Sequence, residues 1–266
     1  MHFYVIIDAS SNNQHFLRRW IKMKFGLQLY NFRNELTEDF RGTMKEIAKL
    51  GFDGVEFANK YGDMEPEELA AFLKELKLEC AGTMFKKDNL LDGSNPCYEY
   101  ALKLNSPAVT ISAMVDFVQE WQSIAEICRK IGDNAAARGT IFSYHNHWAE
   151  FANVDGMSAM DRILAATDPK RVLMEPDVCW LTRGGVNPAE FLRKYAGRIR
   201  QVHMKDSKVP DNRDELTELG CGVVDLIGVY QTAGMIGAQW LIYEQDITSD
   251  PFRSAEISLK YMKQLR

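Results

Sequence analysis

Residues 23–33 read MKFGLQLYNFR, and this stretch decides between the two architectures that the rest of the chain allows. The apolar run over 25–30 is short, as a strand covered on both faces is. An open, doubly wound sheet carries a glycine-rich phosphate loop after its first strand. Here Leu29, Tyr30, Asn31, Phe32 and Arg33 occupy that place, with no glycine among them. The remaining solution for a parallel sheet is closure into a barrel.

Working outward, apolar or β-branched runs recur at 53–57, 78–84, 108–112, 140–145, 172–177, 199–205 and 240–245. Helical spacing fills the intervals at 37–50, 66–76, 96–104, 115–138, 157–166, 188–195, 224–235 and 251–264. The first helix repeats Phe40, Met44, Ile47 and Leu50, with Thr37 as its expected N-cap and Gly51 as its stop. The second opens on Pro66, Glu67 and Glu68, where a helix favours proline and negative charge. Eight strands alternating with eight helices predict an α/β fold, a single (β/α)8 TIM barrel. No linker or low-complexity tract divides it, so 23–266 reads as one TIM-barrel domain and residues 1–22, which fit the pattern poorly, as an N-terminal extension.

The chain has 266 residues, 46% of them apolar and 26% charged, enough for a large core. Lys plus Arg is 32 and Asp plus Glu 37, a net charge of −5 with no basic run, which argues against a nucleic-acid partner. No apolar run is long enough for a bilayer, so no membrane association is expected. The five cysteines are scattered and form no C-x-x-C pair, which points away from disulfides and thiolate zinc and toward a reducing cytoplasm. The oligomeric state stays open, a homo-oligomer included.

Polar residues gather where the expected strands end: Glu56; Tyr144-His145-Asn146-His147; Glu175-Pro176-Asp177; His203-Met204-Lys205-Asp206; and Tyr243-Glu244-Gln245-Asp246. In a barrel these ends converge on one mouth, where active sites lie. Grouped carboxylates and imidazoles are costly to bury unless something compensates them, and a divalent cation with oxygen and nitrogen ligands does so.

From about Phe25 to the C-terminus the sequence resembles the sugar phosphate isomerase/epimerase superfamily, the xylose isomerase-like barrels. The resemblance rests on YHNHWAEF at 144–151, EPDVCWLTRGG at 175–185, YAGRIRQVHMKD at 195–206, the turn ELGCG at 218–222 and YEQD at 243–246. It implies one divalent metal ion, manganese, zinc or cobalt, held by ligands from strands five to eight. Asp177, His203 and Glu244 take the last three places. In the first, where the family usually has a glutamate, this chain has His145; Glu150, five residues on, is the assigned metal ligand, with His145 as its competitor.

The implied function is a metal-dependent isomerase or epimerase of a sugar or sugar phosphate, working by proton transfer through a metal-stabilised enediolate. A keto-sugar or keto-inositol dehydratase on the same site is the alternative, because proton removal beside a carbonyl is common to both. A metal-dependent endonuclease of the same superfamily needs more histidines than the five present, and a non-catalytic binding barrel is the remaining reading. His145, His147 and Glu244 are the expected acid/base groups, imidazole being suited by its near-neutral pKa. Glu56, Trp148, Arg183 and Lys205 are expected to contact a small sugar or polyol. For each a plainer role competes: a salt bridge for Glu56, a pairing with Asp206 or Asp246 for Lys205, solvated surface for Arg183, and packing for Trp148.

Overall fold

The computed structural model describes residues 23–266. The expectation for residues 1–22 lies outside the described residues. Eight parallel strands form one sheet: β1 (Lys24–Gln28), β2 (Gly54–Ala58), β3 (Glu79–Met84), β4 (Val109–Ile111), β5 (Phe142–His145), β6 (Val172–Glu175), β7 (Gln201–Met204) and β8 (Trp240–Tyr243). Their spatial order is β6-β5-β4-β3-β2-β1-β8-β7. The barrel closes between β6 and β7, where the ladder shrinks to two isolated bridges, Met174 with Ile199 and Asp177 with His203. Pro176 has no N–H to give a ladder, but its carbonyl accepts from His203 N at 2.8 Å. Eight principal helices cover the outside: α1 (Phe40–Leu50), α2 (Pro66–Leu76), α3 (Cys97–Lys103), α4 (Phe117–Ala137), α5 (Ala159–Ala165), α6 (Pro188–Lys194), α7 (Leu226–Ile236) and α8 (Pro251–Leu265).

The two faces of each strand differ in kind. Phe25, Leu27, Val55, Phe57, Val202, Met204, Leu241 and Tyr243 belong to the main apolar core beneath the helices. Their alternates face the lumen, because successive side chains of a strand point to opposite sides. At the amino-terminal end the lumen is filled by a separate apolar cluster of Ala81, Trp240 and Ile242. Above it the lumen turns polar, with Gln28, Glu56, Thr110, Glu175, Gln201 and His203 all buried. Gly82 makes room for this layer: a Cβ there would lie 2.0 Å from Glu56 Oε2.

Three local expectations are corrected. The cap of α1 is Asp39, not Thr37: Asp39 Oδ1 accepts from Gly42 N at 2.8 Å, while the Thr37 hydroxyl is committed to Arg33 O at 2.7 Å. The helix expected over 157–166 begins only at Ala159, because Met157–Ser158 pairs antiparallel with Asn153–Val154 around Asp155-Gly156. Both turn residues have positive φ, 46° and 85°, which an Asp-Gly pair tolerates. The strand expected over 172–177 stops at Glu175, and Asp177 instead caps a six-residue helix, Val178–Arg183.

Candidate active site at the carboxyl ends of the strands

Strand alternation delivers the site. Along β7 and just beyond it, Gln201, His203 and Lys205 share one face; Glu175 and Asp177 do so at the end of β6, and Glu244 and Asp246 after β8. Asp177 serves two partners at once. Its Oδ1 accepts from Cys179 N at 2.9 Å and Trp180 N at 3.0 Å, while its Oδ2 stands 2.9 Å from Lys205 Nζ. One oxygen of this carboxylate therefore caps a helix while the other faces the buried lysine.

His145, Asp177, His203 and Glu244 each offer a donor atom, and these four atoms all lie within 4.8 Å of one another. Such a span suits a single ion with bonds of about 2.0–2.3 Å to nitrogen and oxygen. The Nδ1 of His145 is buried and has no hydrogen-bond partner. Two imidazoles and two carboxylates form a donor set for a borderline cation, so the residues present fit a divalent metal. Glu150 stays outside this group. It lies in a single 3-10 turn, Ala149–Phe151, that aims its carboxylate back at its own strand end. There Oε1 accepts from Tyr144 OH at 3.1 Å and His147 N at 3.0 Å. Burial pushes Glu150 up to about 7.

His203 is held from both edges. Its Nδ1 is 3.0 Å from Glu244 Oε2, and its Nε2 is 2.8 Å from both Glu56 Oε1 and Glu175 Oε1. Burial opposes charge on this ring, but the facing carboxylates Glu56 and Glu175 outweigh it and hold His203 well above the usual imidazole range. Burial and the adjacent Glu175 charge push Glu56 up to about 8, whereas His203 and His145 hold Glu175 below the ordinary carboxylate range. Glu56, expected at the substrate, thus sits behind His203, hydrogen-bonded by Gln28 Nε2 at 2.6 Å and Gln201 Nε2 at 3.3 Å.

Lys205 is fully enclosed. Besides Asp177, its Nζ touches Glu244 Oε2 at 2.9 Å and Asp246 Oδ1 at 3.0 Å, and lies 4.7 Å from the Trp180 ring centroid. Burial alone would discharge it, yet three carboxylates keep its pKa well above the ordinary lysine value. Arg213 extends the chain outward, with Nη2 3.0 Å from Asp246 Oδ2. Of the two pairings expected for Lys205, Asp246 is the one formed. Asp206 instead accepts from the backbone N–H groups of Ser207, Gly220, Gly222 and Val224, pinning the Glu218–Gly222 turn.

His147 lies at the edge of the donor group, its ring centroid 5.5 Å from that of His145 and 6.3 Å from that of Trp180. Burial, then the neighbouring His145, pushes its pKa down to about 3, so it is neutral at physiological pH. Trp148 and Trp180 pack at 5.1 Å, and the Arg183 guanidinium lies 3.6 Å from the Trp148 ring centroid. Glu175, Gln28, Gln201 and Thr110 were not among the expected site residues. Glu175 carried a signal: an acid in the buried run VLME, two residues before Asp177 and therefore on the same face.

Residues 44–265 match the family model described as "Xylose isomerase-like TIM barrel". The chain belongs to that family. Within it, the chain is 23% identical to an inosose dehydratase of Geobacillus thermodenitrificans, over 91% of this chain and 97% of the relative. Solved structures share the family fold. A sugar phosphate isomerase/epimerase from Parabacteroides distasonis superposes with a TM-score of 0.77 at 20% identity, covering 91% of this chain and 98% of the other. The 3-keto-D-glucoside 4-epimerase of E. coli gives 0.71 at 18% identity, covering 91% and 100%. Among the described residues, no helix of this family member is long and apolar enough to cross a membrane.

Proposed function

We propose that this chain removes a carbon-bound proton next to the carbonyl of a polyhydroxylated ketone, a keto-inositol or keto-sugar, and expels the β-hydroxyl as water. The observation that carries the reading is the convergence of His145, Asp177, His203 and Glu244 at the barrel mouth, with the half-buried His147 ring beside that of His145. In this reading His145 takes the ligand place expected for Glu150. A divalent cation held by the four donors would polarise the carbonyl and make the adjacent C–H more acidic.

The protein's own groups do the rest. His147, whose ring lies at the edge of the donor group, serves as the base that takes the proton. The electron pair left on carbon forms the new double bond as the C–O bond at the β-carbon breaks. The departing hydroxyl takes up the proton that His147 collected and leaves as water, which returns His147 to its neutral form. The half-buried Trp148, backed by the fully enclosed Trp180, gives an aromatic surface suited to the C–H face of a polyol ring. Lys205 balances the charge of Asp177 and Glu244, 2.9 Å from each.

Elimination is placed first because the inosose dehydratase relative matches over nearly its whole length. Epimerisation or isomerisation is the second reading. It keeps the same proton removal and returns the proton to the opposite face or the neighbouring carbon, and the solved epimerases of this fold favour it. The test is incubation of the manganese- or cobalt-loaded protein with a keto-inositol and a panel of keto-sugars in heavy water. Loss of one water by mass spectrometry supports the dehydratase. Deuterium incorporation without water loss supports the epimerase, and neither change across the panel refutes both.

A further inference from the structure

Glu175 has no assigned part in the site, yet it touches two of the four donor residues. Its Oε1 lies 2.8 Å from Nε2 of His203 and 3.6 Å from Nδ1 of His145. Its other oxygen accepts from Thr110 Oγ1 at 3.0 Å, which sets the plane of the carboxylate. Glu56 meets the same His203 nitrogen at 2.8 Å and is steadied by Gln28 and Gln201. Both carboxylates are fully buried, on β6 and β2, on the lumen side of the ring. An imidazole carries its two nitrogens on different edges. A ring whose Nε2–H is engaged by carboxylates presents Nδ1 elsewhere, and here Nδ1 faces Glu244 at 3.0 Å.

We infer that Glu56 and Glu175 form a carboxylate shelf that keeps Nε2 of His203 as a hydrogen donor and turns Nδ1 to the donor group, with Thr110 positioning Glu175. These are positioning residues, acting through His203. The inference deepens the functional reading and rests on it for the role of His203 as a ligand. Carboxylates behind a ligating imidazole fix its orientation and raise its basicity, and losing one typically weakens metal binding by about 10–100-fold.

The variants are Glu56→Gln, Glu175→Gln, Thr110→Val and the conservative Thr110→Ser. Manganese affinity is read by chelator competition, and the cobalt form by its visible absorption spectrum. Each glutamine variant is expected to weaken manganese binding by about 10–100-fold and to change the cobalt spectrum. Thr110→Val should weaken binding several-fold, with Thr110→Ser close to wild type. This last pair carries the test if a glutamine variant fails to fold. Affinity within twofold of wild type in all four overturns the inference. So does a second bound equivalent that Glu175→Gln removes, because the shelf would then itself ligate. Nitrogen-15 shifts of the His203 ring, recorded without metal, separate the two readings. If wild type binds no metal, the donor assignment fails, while an Nε2 signal unmoved by Glu56→Gln and Glu175→Gln refutes the shelf independently.

Discussion

Asp177 and His203 form one of the two bridges that close the barrel between β6 and β7, and the same two residues project donor atoms into the site. Seam and site are therefore one structure. Backbone pairing sets the separation of the two side chains before any ligand acts, and the cap made by Asp177 Oδ1 leaves Oδ2 turned inward.

Substitutions at the donors are expected to separate binding from folding. Asp177→Asn keeps an oxygen for the cap and loses the charge. Manganese affinity should fall by more than about 100-fold, beyond the range for an outer partner, with the circular dichroism spectrum unchanged. Asp177→Ala should lose, in addition, about 1 kcal/mol of stability with the cap. Glu244→Gln should likewise lose metal and turnover while staying folded. His203→Ala is the harsher change: it leaves Glu56 and Glu175 buried without their shared imidazole, at a cost on the order of 3–5 kcal/mol. Stoichiometric metal retained in both Asp177→Asn and Glu244→Gln would refute the donor assignment.

Lys205 gives a second prediction. Its ammonium is the buried cation common to Asp177, Glu244 and Asp246. Replacement by methionine leaves three carboxylates facing one another, and the metal-free variant should lose on the order of 3–5 kcal/mol in urea denaturation. Saturating manganese should recover a larger share of stability in Lys205→Met than it adds to wild type, because a ligand that binds only the folded state stabilises it. An equal manganese-induced Tm shift in the two proteins would show that the lysine and the ion do not act on the same carboxylates.

His147 lies outside the donor set and is placed as the base. His147→Gln is expected to keep full metal content and lower kcat by about 10²–10⁴-fold. A rate within a factor of three of wild type would remove it from the proton transfer.

For Glu150 the sign of the pH effect can be worked out. Its pKa rises from 4.5 to about 7 on folding, because burial disfavours the charged form. The unfolded chain therefore releases this proton at lower pH than the native one. The stabilising contribution is complete below pH 4.5 and is lost as pH rises through about 7. Glu150→Gln removes the penalty. Without metal, its Tm should exceed that of wild type at pH 8 by more than at pH 5, the full difference amounting to roughly 3 kcal/mol. Equal Tm differences at the two pH values would contradict a buried, neutralised carboxyl.

The architecture was legible because its signals are local. Short apolar or β-branched runs marked the eight strands, and helical spacing between them marked the principal helices to within a few residues. That Asp177, His203 and Glu244 come together at one mouth was legible as well, since the ends of neighbouring barrel strands converge there. What the linear order of residues left open was every pairing across the barrel. His203 and Glu56 are 147 positions apart, and only closure puts them in contact. Closure likewise places Lys205 among three carboxylates and makes Glu175 common to both histidines. That the Glu150 carboxylate turns back to Tyr144 and His147 N is decided by one short 3-10 turn, which strand periodicity does not fix. Periodicity along a strand tells which face a residue occupies; the distance between faces of different strands belongs to the closed barrel alone.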